Sequence, residues 1–78
     1  MSWQPNVGDL VRTSQLTWGN ERTGPSGMVA RSLPKGEPGT LVSWNVRGSD
    51  CWVHFYRAGA NVLVRIDHLE RIPEGDYT

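Results

Sequence analysis

Cysteine is scarce in this chain, because Cys51 is its one cysteine. A disulfide within the chain is therefore excluded. The two histidines, His54 and His68, stand alone and show no spacing typical of a zinc site. The sequence thus indicates no metal and no other cofactor. A domain of 78 residues must then be stabilised by a tight core or by association with another surface.

An excess of charge of either sign is also missing, because eight lysines and arginines balance eight aspartates and glutamates. Nucleic-acid modules usually carry a basic excess, since neutralised phosphates supply most of their affinity. The balance disfavours a general nucleic-acid binder. One alternative stays open, in which aromatic side chains on a barrel face, with arginines around them, stack against a single strand.

No apolar run in the sequence is long enough to span a membrane. The first residues, MSWQPNVGD, lack the basic-then-apolar pattern of a signal peptide. We therefore expect a cytoplasmic protein without a membrane partner.

Helix signals are missing too, and three short strand-like runs follow one another closely: GTLVSWN, CWVHFY and NVLVRI. Turn-rich breaks, VRGSD and RAGAN, separate these runs of β-branched and aromatic residues. This pattern is typical of an antiparallel meander. We also predict a first strand within residues 7–14 and a short or edge strand at 28–33. Residues 15–27 contain three glycines and a proline and are predicted to be a long irregular loop.

Alternation along the strands predicts which side chains face the core. The inward sets are expected to be Val42, Trp44 and Val46; Cys51, Val53 and Phe55; and Val62, Val64 and Ile66. The opposite face of the second run would then present Trp52, His54 and Tyr56, where polar residues are expected. Residues 67–69 suit a single 3₁₀ turn with Asp67 as its cap, and we expect Leu69 and Ile72 to close the core.

The order of these features resembles the small SH3-like β-barrels. The resemblance covers residues 7–72 and includes a Gly-Asp-hydrophobe-Arg opening, a long first loop, a central meander and a short turn before the last strand. It implies an all-β barrel of about five short antiparallel strands. The polar composition of residues 1–6 and 73–78 separately predicts a flexible N-terminal arm and a C-terminal tail. Many functions use such barrels, so the fold does not name one.

Two families of this type share further residues with the chain. The GDLVR opening (8–12) and the LERI ending (69–72) resemble the plasmid-borne, trimethoprim-resistant dihydrofolate reductases. That resemblance implies a homotetramer whose central pore binds folate and NADPH through a Val-Gln-Ile-Tyr segment. This chain has VLVR at 62–65 instead, without the glutamine and the tyrosine. The activity is therefore not carried over, and an oligomeric reductase stays an alternative.

The second family is the mind-bomb type of domain in ubiquitin ligases, which binds peptides. TWGNERTGPSG (17–27) resembles its Trp-Gly loop, GTLV (39–42) its Gly-Thr-Val-Val strand, and WVHF (52–55) its Trp-Val-x-hydrophobe strand. The insertion at 28–38 and the missing WDNG turn depart from that pattern.

No catalytic constellation can be read from the chain. Cys51 and His54 are three residues apart on one strand, so they point to opposite faces and form no nucleophile–base pair. His68, next to a tight turn, is expected to bond locally or to face solvent. An enzyme is therefore disfavoured.

The aromatic side chains favour a binding or assembly module that docks a protein partner or a sister subunit. Large aromatics bury much area at little entropic cost, which makes them typical anchors of interfaces. Arginines at the margin would orient the partner. The predicted binding residues are Trp18, Trp52, His54, Tyr56, Arg57 and Arg65.

Overall fold

The computed structural model describes residues 5–44 and 48–73. This part of the chain is all-β, as predicted, with a single 3₁₀ turn at Ile66–His68. The described residues contain seven strands rather than about five: β1 (Leu10–Thr13), β2 (Thr17–Arg22), β3 (Met28–Leu33), β4 (Pro38–Trp44), β5 (Asp50–Phe55), β6 (Ala60–Arg65) and β7 (Leu69–Arg71).

All seven strands join one antiparallel sheet in the order β3-β2-β6-β5-β4-β1-β7. The predicted meander is confirmed, because β4 pairs with β5 and β5 pairs with β6. Strands β3 and β7 are the two edges and are not paired with each other. The sheet is therefore open.

Strand β3 confirms the short strand predicted at 28–33, whereas β2 was not predicted. The two strands form a hairpin. It pairs over six residues, from Thr17↔Leu33 to Arg22↔Met28, so the predicted irregular loop at 15–27 is wrong for residues 17–22. Gly19, one of the three glycines of that stretch, is buried in β2. A Cβ there would lie 2.4 Å from Val62 Cγ1 and 2.9 Å from the Leu63 carbonyl oxygen. Glycine thus allows β2 to approach β6 closely.

The sheet curls because the chain passes from one of its sides to the other in few residues. Strand β1 is next to one edge and β2 is next to the other, yet only residues 14–16 separate them. Thr13, fully buried, fixes the turn between β3 and β4: its hydroxyl donates to the Pro34 carbonyl oxygen at 2.5 Å and accepts from the Glu37 amide at 2.8 Å. The end of the hairpin is thereby held against β1.

The core consists of apolar side chains that the alternation of β5 and β6 places inside. Cys51, Val53 and Phe55 are buried as predicted, and so are Val62 and Val64. Ile66 is only partly buried and packs against this cluster. The other buried apolar residues come from the remaining strands: Val11, Leu33, Leu41 and Leu69.

The predicted inward face of β4 is wrong at Val42, which is 40 % exposed, whereas Leu41 is fully buried. A bulge explains the change: Leu41 pairs with Val53, and Ser43 pairs with Trp52, the next residue back along β5. Val42 is thus the extra residue of β4, and strict alternation fails there. Trp44, beyond the bulge, packs against the core as predicted. Val46 lies outside the described residues.

The 3₁₀ turn before β7 is confirmed, but its predicted cap is wrong. The turn begins at Ile66, and the capping position is Arg65, which makes no capping hydrogen bond through its side chain. Asp67 lies inside the turn and its carboxylate pairs with Arg65. Leu69 is buried and Ile72 is half-buried. Most of the predicted arm (1–6) and tail (73–78) lies outside the described residues.

Candidate binding groove

The outer face of β2, β6 and β5 carries the aromatic residues. In this part of the sheet Trp52 of β5 pairs with Leu63 of β6, and Leu63 pairs with Asn20 of β2. Alternation places the residues two positions away along each strand on the same face. This outer face therefore carries Trp18 and Arg22 of β2, Trp52 and His54 of β5, and Asn61 and Arg65 of β6.

A shallow groove of about 460 Å³ opens on this face. Its volume falls in the range of roughly 300 to 1,000 Å³ that is usual for ligand sites. The turn between β5 and β6 forms one end of the groove, where Gly59 has a φ of 64° and its amide donates to the Phe55 carbonyl oxygen. The groove is lined by Arg22, Trp52, His54, Gly59, Ala60 and Asn61.

Arg22 lies over the indole ring of Trp52, with its guanidinium carbon 5.9 Å from the ring centroid. This is the geometry of a cation–π contact. Glu21, the neighbour of Arg22, cannot neutralise it, because Glu21 is on the other face of β2 and binds Arg31 with a distance of 2.5 Å between Nε and Oε1. Arg22 is thus the charged residue of the groove.

His54 is fixed on the floor of the groove by two contacts. Its Nδ1 lies 3.0 Å from Asn61 Oδ1, and since a carbonyl oxygen only accepts, Nδ1 donates. Its Nε2 is thus not used in that bond. The ring also meets Tyr56 edge-to-face, with the ring centroids 6.1 Å apart.

Tyr56 follows β5 and borders the groove rather than lining it. The side chain is 48 % exposed, and its hydroxyl is hydrogen-bonded to the hydroxyl of Thr40 on β4. These contacts hold the tyrosine ring beside His54. Trp52, His54 and Tyr56 are thus brought together, as the alternation of the strand predicts.

The two arginines predicted for the margin form ion pairs outside the groove lining. Arg57 reaches Glu37, with 3.5 Å between Nη1 and Oε1. Arg65 donates to Asp67 at 3.1 Å from Nε, and this hydrogen bond holds the pKa of Asp67 below its usual value. The arginine that lines the groove is Arg22, which is not among the predicted binding residues.

Trp18 lies on the same face as Arg22, four residues earlier on β2, and is 66 % exposed. Its partner on β3 is Ser32. It does not line the groove, but its exposed ring extends the aromatic surface toward the start of β2, away from the β2–β3 turn. The prediction of a loop at 15–27 did not give this arrangement, because Trp18 and Arg22 share a face only when residues 17–22 form a strand.

Cys51 and His54 do not form a nucleophile–base pair. Cys51 is buried on the inner face, whereas His54 is on the outer one. Burial, together with the nearby charge of Asp50, raises the pKa of the Cys51 thiol to about 12. His68 neither bonds locally nor stays free: its Nδ1 lies 2.7 Å from the Thr17 hydroxyl. Residues 5–44 and 48–73 contain no group of three or more His, Cys, Asp or Glu side chains able to hold a metal ion.

Comparisons with known protein families, with curated proteins and with solved structures found no match. Within the described residues, no helix has the length and apolar character that crossing a membrane requires.

Proposed function

We propose that this chain is a non-catalytic binding module that docks a protein partner on the outer face of β2, β6 and β5. The observation that carries the proposal is the groove in which Arg22 stacks over Trp52 beside His54. Aromatic and arginine side chains in a concave site are the residue types that supply most of the binding energy at interfaces. Trp18 and Tyr56 extend this surface on either side.

We also propose that the curled sheet is an SH3-like barrel. Five of its strands, β1 and β4 to β7, follow the expected order of opening strand, meander and last strand, and a 3₁₀ turn precedes β7. The hairpin β2–β3 occupies the long first loop. The hydrogen bond between Thr17 and His68 supports near-closure, since it joins β2 to the segment that enters β7.

The first experiment is the mass of the purified chain in solution, measured by light scattering over a dilution series. A monomer leaves the outer face open for a foreign partner. A stable dimer that the Trp52→Ala variant converts to monomer would assign the face to a second copy of the chain and overturn docking of a foreign partner.

The second experiment selects phage-displayed random peptides on the immobilised chain and measures their affinity for the wild type and for Trp52→Ala. Loss of an anchor is expected to cost about 2 kcal/mol, or roughly thirtyfold in Kd. Circular dichroism establishes that the variant is folded. Failure to select any peptide, or equal affinity for the folded variant, would contradict the proposed function.

An oligomeric reductase is the alternative from another class, since four weak sites can merge at a symmetry axis without a constellation in one chain. The residues of β6 relevant to such a pore are Leu63, which is half-buried, and Arg65, which is exposed, because Val62 and Val64 are in the core. NADPH-dependent reduction of dihydrofolate by a dimeric or tetrameric fraction would support this alternative, and the absence of turnover would remove it.

A single-stranded nucleic-acid binder is the other alternative, and the stack of Arg22 on Trp52 is the observation that favours it. Affinity for a labelled oligothymidine that falls steeply with salt would support this function.

A further inference from the structure

We infer that the groove binds an acidic peptide segment, with a side-chain carboxylate on Arg22 and the neighbouring apolar part of the peptide against Trp52. The inference rests on the proposed docking function and names the class of its partner. It is carried by the distribution of charge over the described residues.

Most of the described arginines are already matched by a carboxylate of the chain. Arg12 pairs with Glu70 at 3.3 Å, and the ion pairs of Arg31, Arg57 and Arg65 also lie within the described sheet. Arg22 has no such carboxylate among the described residues and is the charged member of the groove lining. A ligand that enters the groove therefore meets an unmatched guanidinium.

The position of Arg22 favours a carboxylate over a neutral ligand. Its guanidinium plane can form two parallel hydrogen bonds with a carboxylate, and such charge-assisted bonds are about twice as strong as neutral ones. The indole of Trp52 below it limits the access of water on one side, which strengthens an ion pair. Asn61 and Nε2 of His54, an atom not used in the bond between Nδ1 and Asn61, supply further polar contacts for the peptide backbone.

A peptide is favoured over a nucleic acid by the same distribution. Binding to a phosphate backbone needs several unmatched cations along one track. The ion pairs of Arg31, Arg57 and Arg65 remove three arginines from that role, and the net charge of the chain is zero. Arg22, the arginine of the groove lining, suits a single carboxylate.

The experiment uses the full chain and the random peptide library described above. Sequences selected on the wild type are expected to be enriched in Asp or Glu next to an aromatic or aliphatic residue. One selected peptide, acetylated, amidated and labelled with fluorescein, is then compared with its isosteric version in which Asp becomes Asn and Glu becomes Gln. The acidic peptide is expected to bind at least about tenfold more tightly, as a charge-assisted hydrogen bond contributes.

Arg22→Gln tests the guanidinium, and Arg71→Gln is the matched control, because Arg71 is an exposed arginine of β7 at the other edge of the sheet. Arg22→Gln is expected to abolish the preference for the acidic peptide, whereas Arg71→Gln retains it. Raised salt is expected to reduce the difference in affinity that the wild type shows between the acidic peptide and its isosteric version.

Four outcomes would overturn the inference. Selected peptides without acidic enrichment that still need Trp52 would refute the acidic partner and leave the docking function standing. Equal affinities for Arg22→Gln and the wild type would refute the role of Arg22. If no peptide is selected, or if oligothymidine binds more tightly than any acidic peptide in an Arg22-dependent way, the docking function fails together with the inference.

Discussion

The hydroxyl of Thr17 and Nδ1 of His68 lie 2.7 Å apart and connect parts of the chain that are distant in the order of the sheet. Thr17 begins β2, next to the edge strand β3, and His68 ends the 3₁₀ turn that leads into the opposite edge strand β7. Thr17 is buried. The bond therefore holds the two sides of the curled sheet together where no ladder joins them.

Thr17→Val is expected to lower the free energy of unfolding by about 1 kcal/mol, because it removes this bond and leaves a polar nitrogen of His68 without its partner. Urea unfolding followed by circular dichroism measures the change. Thr17→Ser keeps the hydroxyl and is expected to retain more of the stability. Equal free energies of unfolding for Thr17→Val and Thr17→Ser would show that the hydrogen bond does not hold the two sides of the sheet together.

Gly19→Ala is expected to destabilise the fold by about 1 to 3 kcal/mol, the usual cost of overpacking a core. Its Cβ would lie 2.7 Å from Val64 Cγ1 and 2.9 Å from the Leu63 carbonyl oxygen, which is backbone and cannot easily move. Gly24→Ala is the control, since nothing lies within 4 Å of a Cβ there. Equal urea midpoints for the two variants would show that β2 does not approach β6 closely.

Gly19 also shows why the sequence predicts the meander better than the hairpin. β5 and β6 are rich in β-branched and aromatic residues, and turn residues mark both ends. In β2, glycine is needed because β6 lies so close. The sequence of β2 alone cannot show this, because β6 is distant in the chain and its pairing with β2 must be known first. Glycine in a polar stretch therefore indicates a loop when it is read locally. The prediction of a loop there is also the reason that Arg22 is not among the predicted binding residues.

The bulge in β4 is a second case in which local rules fail. Leu41 belongs to the core and Trp44 packs against it, although they are three positions apart and strict alternation places them on opposite faces. The register of β5 fixes the bulge at Val42, which no pattern within β4 reveals. The aromatic face of β5 was predictable because that strand alternates without interruption.

Trp18→Ala is expected to leave the free energy of unfolding unchanged to within about 0.5 kcal/mol, as is usual for surface substitutions. The ring is 66 % exposed and lies outside the apolar core. Peptides selected on the wild type are expected to lose affinity, since the ring extends the surface beside the groove. A large loss of stability in urea would instead show that Trp18 is structural, and unchanged affinity would confine binding to the groove.

The buried thiol of Cys51 predicts how stability depends on alkaline pH. Its pKa rises from 9.0 to about 12, chiefly because burial disfavours the thiolate, and Asp50 adds to the effect. In the unfolded chain the thiol ionises near its usual pKa, whereas the folded chain retains the proton. The stabilisation is therefore complete below about pH 9 and is lost as pH rises toward 12.

Unfolding in urea at a series of pH values between neutral and strongly alkaline measures this effect. Cys51→Ala is the comparison, because it removes the thiol and leaves the rest of the chain unchanged. The free energy of unfolding of the wild type is expected to fall more steeply above pH 9 than that of the variant. A thiol reagent should react with Cys51 only after unfolding, since the thiolate is the reactive form. In the structure the sulfur lies 3.6 Å from the Val64 carbonyl oxygen. If the free energies of unfolding of the wild type and the variant fall in parallel with pH, or if the folded chain is modified rapidly at neutral pH, the thiol lies at the surface instead.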